Sequence, residues 1–181
     1  YFASQPGTQV PSLMRLGRQD VDLEPGRAAH LVVDSFTIPV DVQVLAIQPH
    51  AHYRATSIRA WATLPDGAER PLLRIAEWNF AWQDQYRYAT PFWLPAGTTL
   101  RMEYRFDNSA DNVRNPDRPP RRVEWGWLST DEMADVWIQV MTRSPEDRAR
   151  FDGDARRKMA NEDVVGSELL VSRTPGHVSL R

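Results

Sequence analysis

From Thr99 to Asp107 the chain alternates strictly: Leu100, Met102, Tyr104 and Phe106 are apolar, while Arg101, Glu103, Arg105 and Asp107 are charged. Successive side chains of an extended strand point to opposite faces, so this pattern demands a strand with one buried and one wetted face. A helix would scatter the same residues around its circumference. Shorter alternating or apolar runs, punctuated by turn residues, predict strands over residues 28–36, 40–50, 56–64, 70–77, 86–92, 98–108, 123–128 and 133–141. Pro65-Asp66-Gly67 and Pro95-Ala96-Gly97 supply the turns, because glycine accepts a positive φ cheaply. Eight antiparallel strands imply a mainly β fold, a jelly-roll-like β-sandwich. Residues 107–122, rich in Asn, Asp, Pro and Arg, form a long ordered loop at one end of it.

After Arg143 the pattern changes. Ser144 offers a hydroxyl cap, Pro145 fits the first helical position, and Glu146 and Asp147 face the positive end of the helix dipole. A helix is expected to about Val171, with Pro175-Gly176 breaking it. The chain thus divides into a β domain, residues 1–142, and a helical extension, residues 143–181.

The 181 residues, 41% of them hydrophobic, suffice for one moderate core. A formal net charge of -2 argues against a nucleic-acid groove or an anionic membrane surface as partner. Arg114, Arg118, Arg121 and Arg122 cluster, but among prolines they read as a solvated loop. No run approaches the roughly twenty apolar residues of a membrane span. Without cysteine there is neither a disulfide framework nor a thiolate metal site. Cohesion must come from packing, to which 7 tryptophans contribute large apolar surfaces.

Chemistry concentrates in two places. In His50-Ala51-His52 the imidazoles stand at i and i+2 of a strand, the spacing that aims both at one ion. Met133 adds a thioether, a soft donor suited to Cu(I) and poorly suited to zinc, magnesium or calcium. Taken singly, a His-x-His pair is more often packed or polar, and a methionine before an apolar run is more often core. Asp131 and Glu132 read as solvated acids at a strand entrance rather than as an acid–base pair. Trp78, Trp82, Trp125, Trp127 and Trp137 belong by default to an aromatic core, with a substrate pocket as the alternative. His30 and His177 are isolated.

The order of these motifs resembles the second domain of the type II, ascorbate-dependent copper monooxygenases, the family of peptidylglycine α-hydroxylating monooxygenase and dopamine β-monooxygenase. Tyr1-Phe2-Ala3 looks like the last strand leaving a first domain, and Leu23-Glu24-Pro25-Gly26 like the turn before the next strand. Residues 42–52 resemble the strand bearing the two histidine ligands, and Asp131-Glu132-Met133 resembles the segment bearing the methionine ligand. The bacterial relatives are closer still: Pro65-Asp66-Gly67, the Trp-Asn-Phe-x-Trp-Gln block of residues 78–83, Phe106-Asp107-Asn108-Ser109 and Asn115-Pro116-Asp117 are similar to theirs. The resemblance implies copper held by His50, His52 and Met133, molecular oxygen as co-substrate, C–H hydroxylation of a small molecule, and a periplasmic, exported location. It also implies an upstream copper domain of the same chain as electron source, since no second histidine cluster is present. The tail resembles the entrance to a tetratricopeptide-like repeat region.

The sequence departs from the peptide-processing members where they hold a substrate carboxylate. Gln48 stands for their arginine, Trp137 for their tyrosine and Asp135 for their asparagine. An amide lacks the charge and the bidentate geometry of a guanidinium, so a glycine-extended peptide is not the expected substrate. Two other functional classes compete: a non-catalytic binding or assembly module, and a zinc hydrolase-like site using His50, His52 and Asp131 or Glu132 in place of Met133.

Overall fold

The computed structural model describes residues 10–173, and side chains as far as residue 161. Two four-stranded antiparallel sheets face each other. One has the order β1 (Ser12–Gly17), β10 (Asp135–Thr142), β4 (Val42–His50), β7 (Tyr86–Leu94); the other has β3 (His30–Thr37), β8 (Thr99–Phe106), β5 (Ala55–Thr63), β6 (Glu69–Ile75). A two-stranded ribbon, β2 (Asp22–Leu23) with β9 (Val123–Glu124), completes a mainly β sandwich.

The alternation of residues 99–107 is realised in β8: Leu100, Met102, Tyr104 and Phe106 are buried, and Arg101 and Arg105 are exposed. They meet Met14, Leu16, Val42, Val44, Val136 and Ile138 from the facing sheet in one core. Burying each of these larger apolar side chains stabilises the fold by roughly 1.5–3 kcal/mol. Gly67 and Gly97 close their turns with φ of 86° and 82°, a region costly for any residue with a Cβ.

Strand β1 was not expected. Only Leu13 of its six residues is exposed, so burial on both faces erases the alternation that marks a strand. The run expected over 123–128 forms a strand only at Val123–Glu124, followed by an isolated bridge between Trp125 and Glu132, and Trp127 and Leu128 beyond it are 77% and 67% exposed.

The helix α1 (Pro145–Arg173) begins where its signals place it, with Ser144 Oγ accepting the Asp147 N–H at 3.1 Å. It is part of the same core: Phe151 and Ala155 are buried, Phe151 meets Phe36 edge-on at 6.1 Å, and Lys158 pairs with Asp34 of β3. Pro175-Gly176, His177 and Tyr1-Phe2-Ala3 lie outside the described residues. Among the described residues no helix is long and apolar enough to cross a membrane.

Topology sets the site. Strands β10 and β4 are neighbours, and their register places Asp135 opposite His50 and Trp137 opposite Gln48. The segment entering β10 therefore lies beside the segment leaving β4, and these are the two stretches that carry the candidate ligands.

Candidate metal centre

His50 is the last residue of β4, and His52 stands just beyond it on the chain leaving the sheet. The two need not share a strand to converge: their ring centroids are 5.2 Å apart and nearly perpendicular, at 82°. Met133, buried just before β10, lines the same cleft, a concavity of about 370 Å³. Its walls are completed by Phe80, Gln83, Trp127, Ser129 and Trp137, with Arg15 and Asp135 on the sheet side. All three sequence-predicted donors are thus brought together.

The outer face of each imidazole is engaged. His52 Nδ1 lies 3.1 Å from the Asp131 carbonyl oxygen, and His50 Nδ1 lies 2.7 Å from Gln83 Oε1. A carbonyl only accepts, so His52 carries its proton on Nδ1 and a lone pair on Nε2; the Gln83 oxygen sets His50 the same way. Metal-binding imidazoles are held by this pattern of outer hydrogen bonds. Burial lowers the His52 pKa, outweighing the Asp131 carbonyl, which raises it. A neutral ring is the form that ligates a metal.

The backbone around His52 is fixed by side chains from distant segments. Its carbonyl accepts from Trp78 Nε1 at 2.9 Å, and its N–H donates to Glu132. Glu132 is fully buried and also accepts the Arg54 N–H at 2.9 Å and the Met133 N–H at 3.2 Å. Burial raises its pKa to about 7 despite those three donors and the Arg54 charge. The expectation of a solvated acid fails here because the chain leaving β4 presents amides with no sheet partner, and Glu132 supplies one. Asp131 differs: its Oδ2 accepts the Leu128 N–H at 3.1 Å and shapes the turn before it.

Both carboxylates named for a zinc set are therefore engaged by backbone donors. Among the described residues no three His, Cys, Asp or Glu side chains converge as a metal-ligating group. Of the side chains lining the cleft, His50, His52 and Met133 offer two nitrogens and a thioether, a set whose chemistry suits copper and above all its reduced state, with the Asp135 carboxylate in the same wall.

The tryptophans divide. Trp78 is core and Trp125 packs against it; Trp137 and Trp127 line the cleft, and Trp82 is 78% exposed. Three of the four clustered arginines are engaged: Arg121 pairs with Asp117, Arg122 with Asp22, and Arg118 Nη1 donates to the Ala110 carbonyl, while Arg114 stands exposed on the same loop. Asp135 does reach the cleft, and burial raises its pKa against the nearby charges of Arg15 and His50.

Sequence reasoning missed Arg15, Arg54 and the role of Gln83. Arg15 belongs to the unexpected β1, where the register sets it beside Trp137, with its guanidinium 6.0 Å from that ring centroid. In the row Arg15–Trp137–Gln48 the cation thus stands on β1 and not on β4. Arg54 had no local signal, being a lone arginine between two strands.

No family model matches the chain, and no curated protein matches it. Among solved structures, a structure of infectious bursal disease virus Gx strain is similar at 7% identity and a TM-score of 0.35, covering 80% of this chain and 37% of that one. The infectious bursal disease virus VP2 subviral particle is similar at 8% identity and a TM-score of 0.34, covering 73% and 33%. The chain spans about a third of the length of these solved chains. Likenesses this distant add nothing to the fold described above.

Proposed function

We propose that this β-sandwich is the oxygen-activating copper domain of a type II, ascorbate-dependent monooxygenase, that it hydroxylates a C–H bond of a small molecule, and that an upstream copper domain of an exported protein supplies its electrons. The observation that carries the reading is the convergence of His50, His52 and Met133 on one cleft, with both imidazoles held by their Nδ1 atoms. Copper bound there would supply one-electron chemistry toward molecular oxygen.

The remaining work belongs to the chain's own groups. Gln83 and the Asp131 carbonyl hold the two rings through Nδ1 as the Nδ1–H tautomers, which leaves the lone pair of each Nε2 available to an ion. Phe80, Trp127 and Trp137 give the cleft apolar walls against which the body of an organic substrate packs and from which water is displaced. Strand β4 contributes Gln48 rather than an arginine to this row, and Asp135 stands in the cleft wall with Arg15 of β1, so the arginine clamp of the peptide-processing members is not reproduced in its place and a glycine-extended peptide is not the expected substrate.

Copper retained after dialysis tests the centre. The parent should hold one ion per chain, whereas His50→Ala and His52→Ala should lose it. Met133→Ile roughly conserves apolar volume and should keep the fold, while weakening Cu(I) far more than Cu(II). Parental copper in both histidine variants would place the site elsewhere, and equal loss of the two oxidation states in Met133→Ile would make that residue packing rather than ligand.

A further inference from the structure

We infer that Glu132 is the positioning residue of this centre, a side-chain rung that extends the β10–β4 register past the end of the sheet and holds the His52 and Met133 segments at a set separation. The functional half of the inference rests on the copper reading; the tethering half does not.

The ladder between β10 and β4 ends at the pair Asp135 and His50. Beyond it the backbones diverge into residues 51–54 on one side and 131–134 on the other, and no sheet hydrogen bond sets their spacing. Two of the three candidate ligands lie in this unladdered stretch. Glu132 bridges it. One carboxylate oxygen accepts the N–H of His52 and the N–H of Met133, and the other accepts the N–H of Arg54 at 2.9 Å. A single side chain thus binds the backbone of a nitrogen donor and the backbone of the sulfur donor, which stand about 80 residues apart in sequence. The two stretches are also joined by the His52 Nδ1 contact with the Asp131 carbonyl and by the Arg54 Nη1 bond to the Thr130 carbonyl, both of which end on backbone oxygens and neither of which holds the Met133 amide.

The same geometry removes Glu132 from proton transfer. Both oxygens are occupied by backbone donors and the residue has no exposed surface, so it cannot touch a substrate in the cleft. Its position costs desolvation of a carboxyl group, which is tolerated because an apolar side chain would leave three buried amides without an acceptor. Glutamine keeps the shape but has one acceptor oxygen in place of two, so at least one amide must lose its partner. The donor set is then no longer held before the metal arrives.

The test uses the whole chain, in two measurements. In metal-free protein, amide hydrogen exchange should show His52, Arg54 and Met133 protected in the parent. Glu132→Ala should release all three and Glu132→Gln at least one, with the β10–β4 ladder still protected. Affinities for Cu(I) and Cu(II) are then measured well below the unfolding temperature for the parent, for Glu132→Gln and for Leu100→Ala, a core cavity in the other sheet. Glu132→Gln should weaken both oxidation states together by about 10–100-fold, as loss of an outer partner does at metal sites. Leu100→Ala should lose stability and keep parental copper affinity. Parental affinity in Glu132→Gln, or a loss no greater than that of Leu100→Ala, overturns the positioning role. Amides that stay protected in both Glu132 variants overturn the tether, whatever the parent binds. A parent that binds neither oxidation state overturns the copper reading instead, and the exchange result still decides the tether.

Discussion

Arg54 carries a guanidinium into the interior with no side-chain surface exposed. Its Nε donates to Asn108 Oδ1 at 3.1 Å, its Nη1 to the Thr130 carbonyl at 3.0 Å and its Nη2 to Asp117. Burial lowers its pKa while Asp117 and Glu132 oppose that shift, so the charge is retained and balanced by nearby carboxylates. In Arg54→Met the flexible thioether fills most of the vacated space, and every guanidinium donor is lost. The Thr130 carbonyl keeps only its longer contact from Arg121 Nη2 at 3.4 Å, whereas Asn108 Oδ1 still accepts from Asn115 Nδ2 at 3.0 Å. Asp117 keeps its contact with Arg121 and is 23% exposed, so water and a second cation soften its loss. Breaking a fully buried pair costs about 3–5 kcal/mol, and the partial exposure of Asp117 points to the lower end, about 3 kcal/mol. For a chain of this length that corresponds to a fall of about 6–12 °C in Tm. Urea and thermal unfolding followed by tryptophan fluorescence would measure it. Asp117→Asn alone should also destabilise, because it removes one of the two carboxylate charges that balance the buried guanidinium, and the double variant should fall short of additivity by about 1–3 kcal/mol. A parental Tm for Arg54→Met, or strict additivity in the cycle, would refute the buried-pair reasoning.

Two further outcomes follow from particular contacts. Gly17→Ala should destabilise by about 1–3 kcal/mol, because a Cβ there would collide with Asp135 Oδ1 while the backbone itself needs no positive φ; an unchanged urea midpoint would mean that Asp135 swings aside at no cost. His30 has its pKa lowered, first by burial and then by the Arg27 charge, against Asp22 and Asp20. The unfolded chain therefore takes up a proton near the ordinary imidazole value before the folded one does, and the parent loses stability as the pH falls below that value. His30→Gln should lose less over the same range, and parallel urea midpoints for the two proteins from pH 7 to pH 5 would exclude the effect.

The parts legible in the sequence were those whose physics is local. Period-two alternation announced β8, Gly67 and Gly97 announced their turns, and Ser144 with Pro145 announced the helix within a residue. Strand β1 was invisible because a strand covered on both faces has no alternation to show, and β2 and β9 are too short for any period to register. With β1 went Arg15, whose place beside the cleft depends entirely on which strand pairs with β10. The candidate donors were legible through the two-residue spacing of His50 and His52 and through the softness of a thioether.

The groups that hold those donors were not legible, and the reason is specific. Asp131 and Glu132 are adjacent acids of nearly equal chemistry, and nothing in their neighbours in sequence distinguishes them. One shapes the turn at Leu128; the other is buried because amides of residues 52 and 54, about 80 positions away, arrive without partners. Whether an acid at a strand entrance is solvated is thus decided by the donors that the opposite segment brings to it. The pairing of β10 with β4 brings those donors there, so the same topology that gathers the candidate ligands also buries the acid that binds the backbone between them.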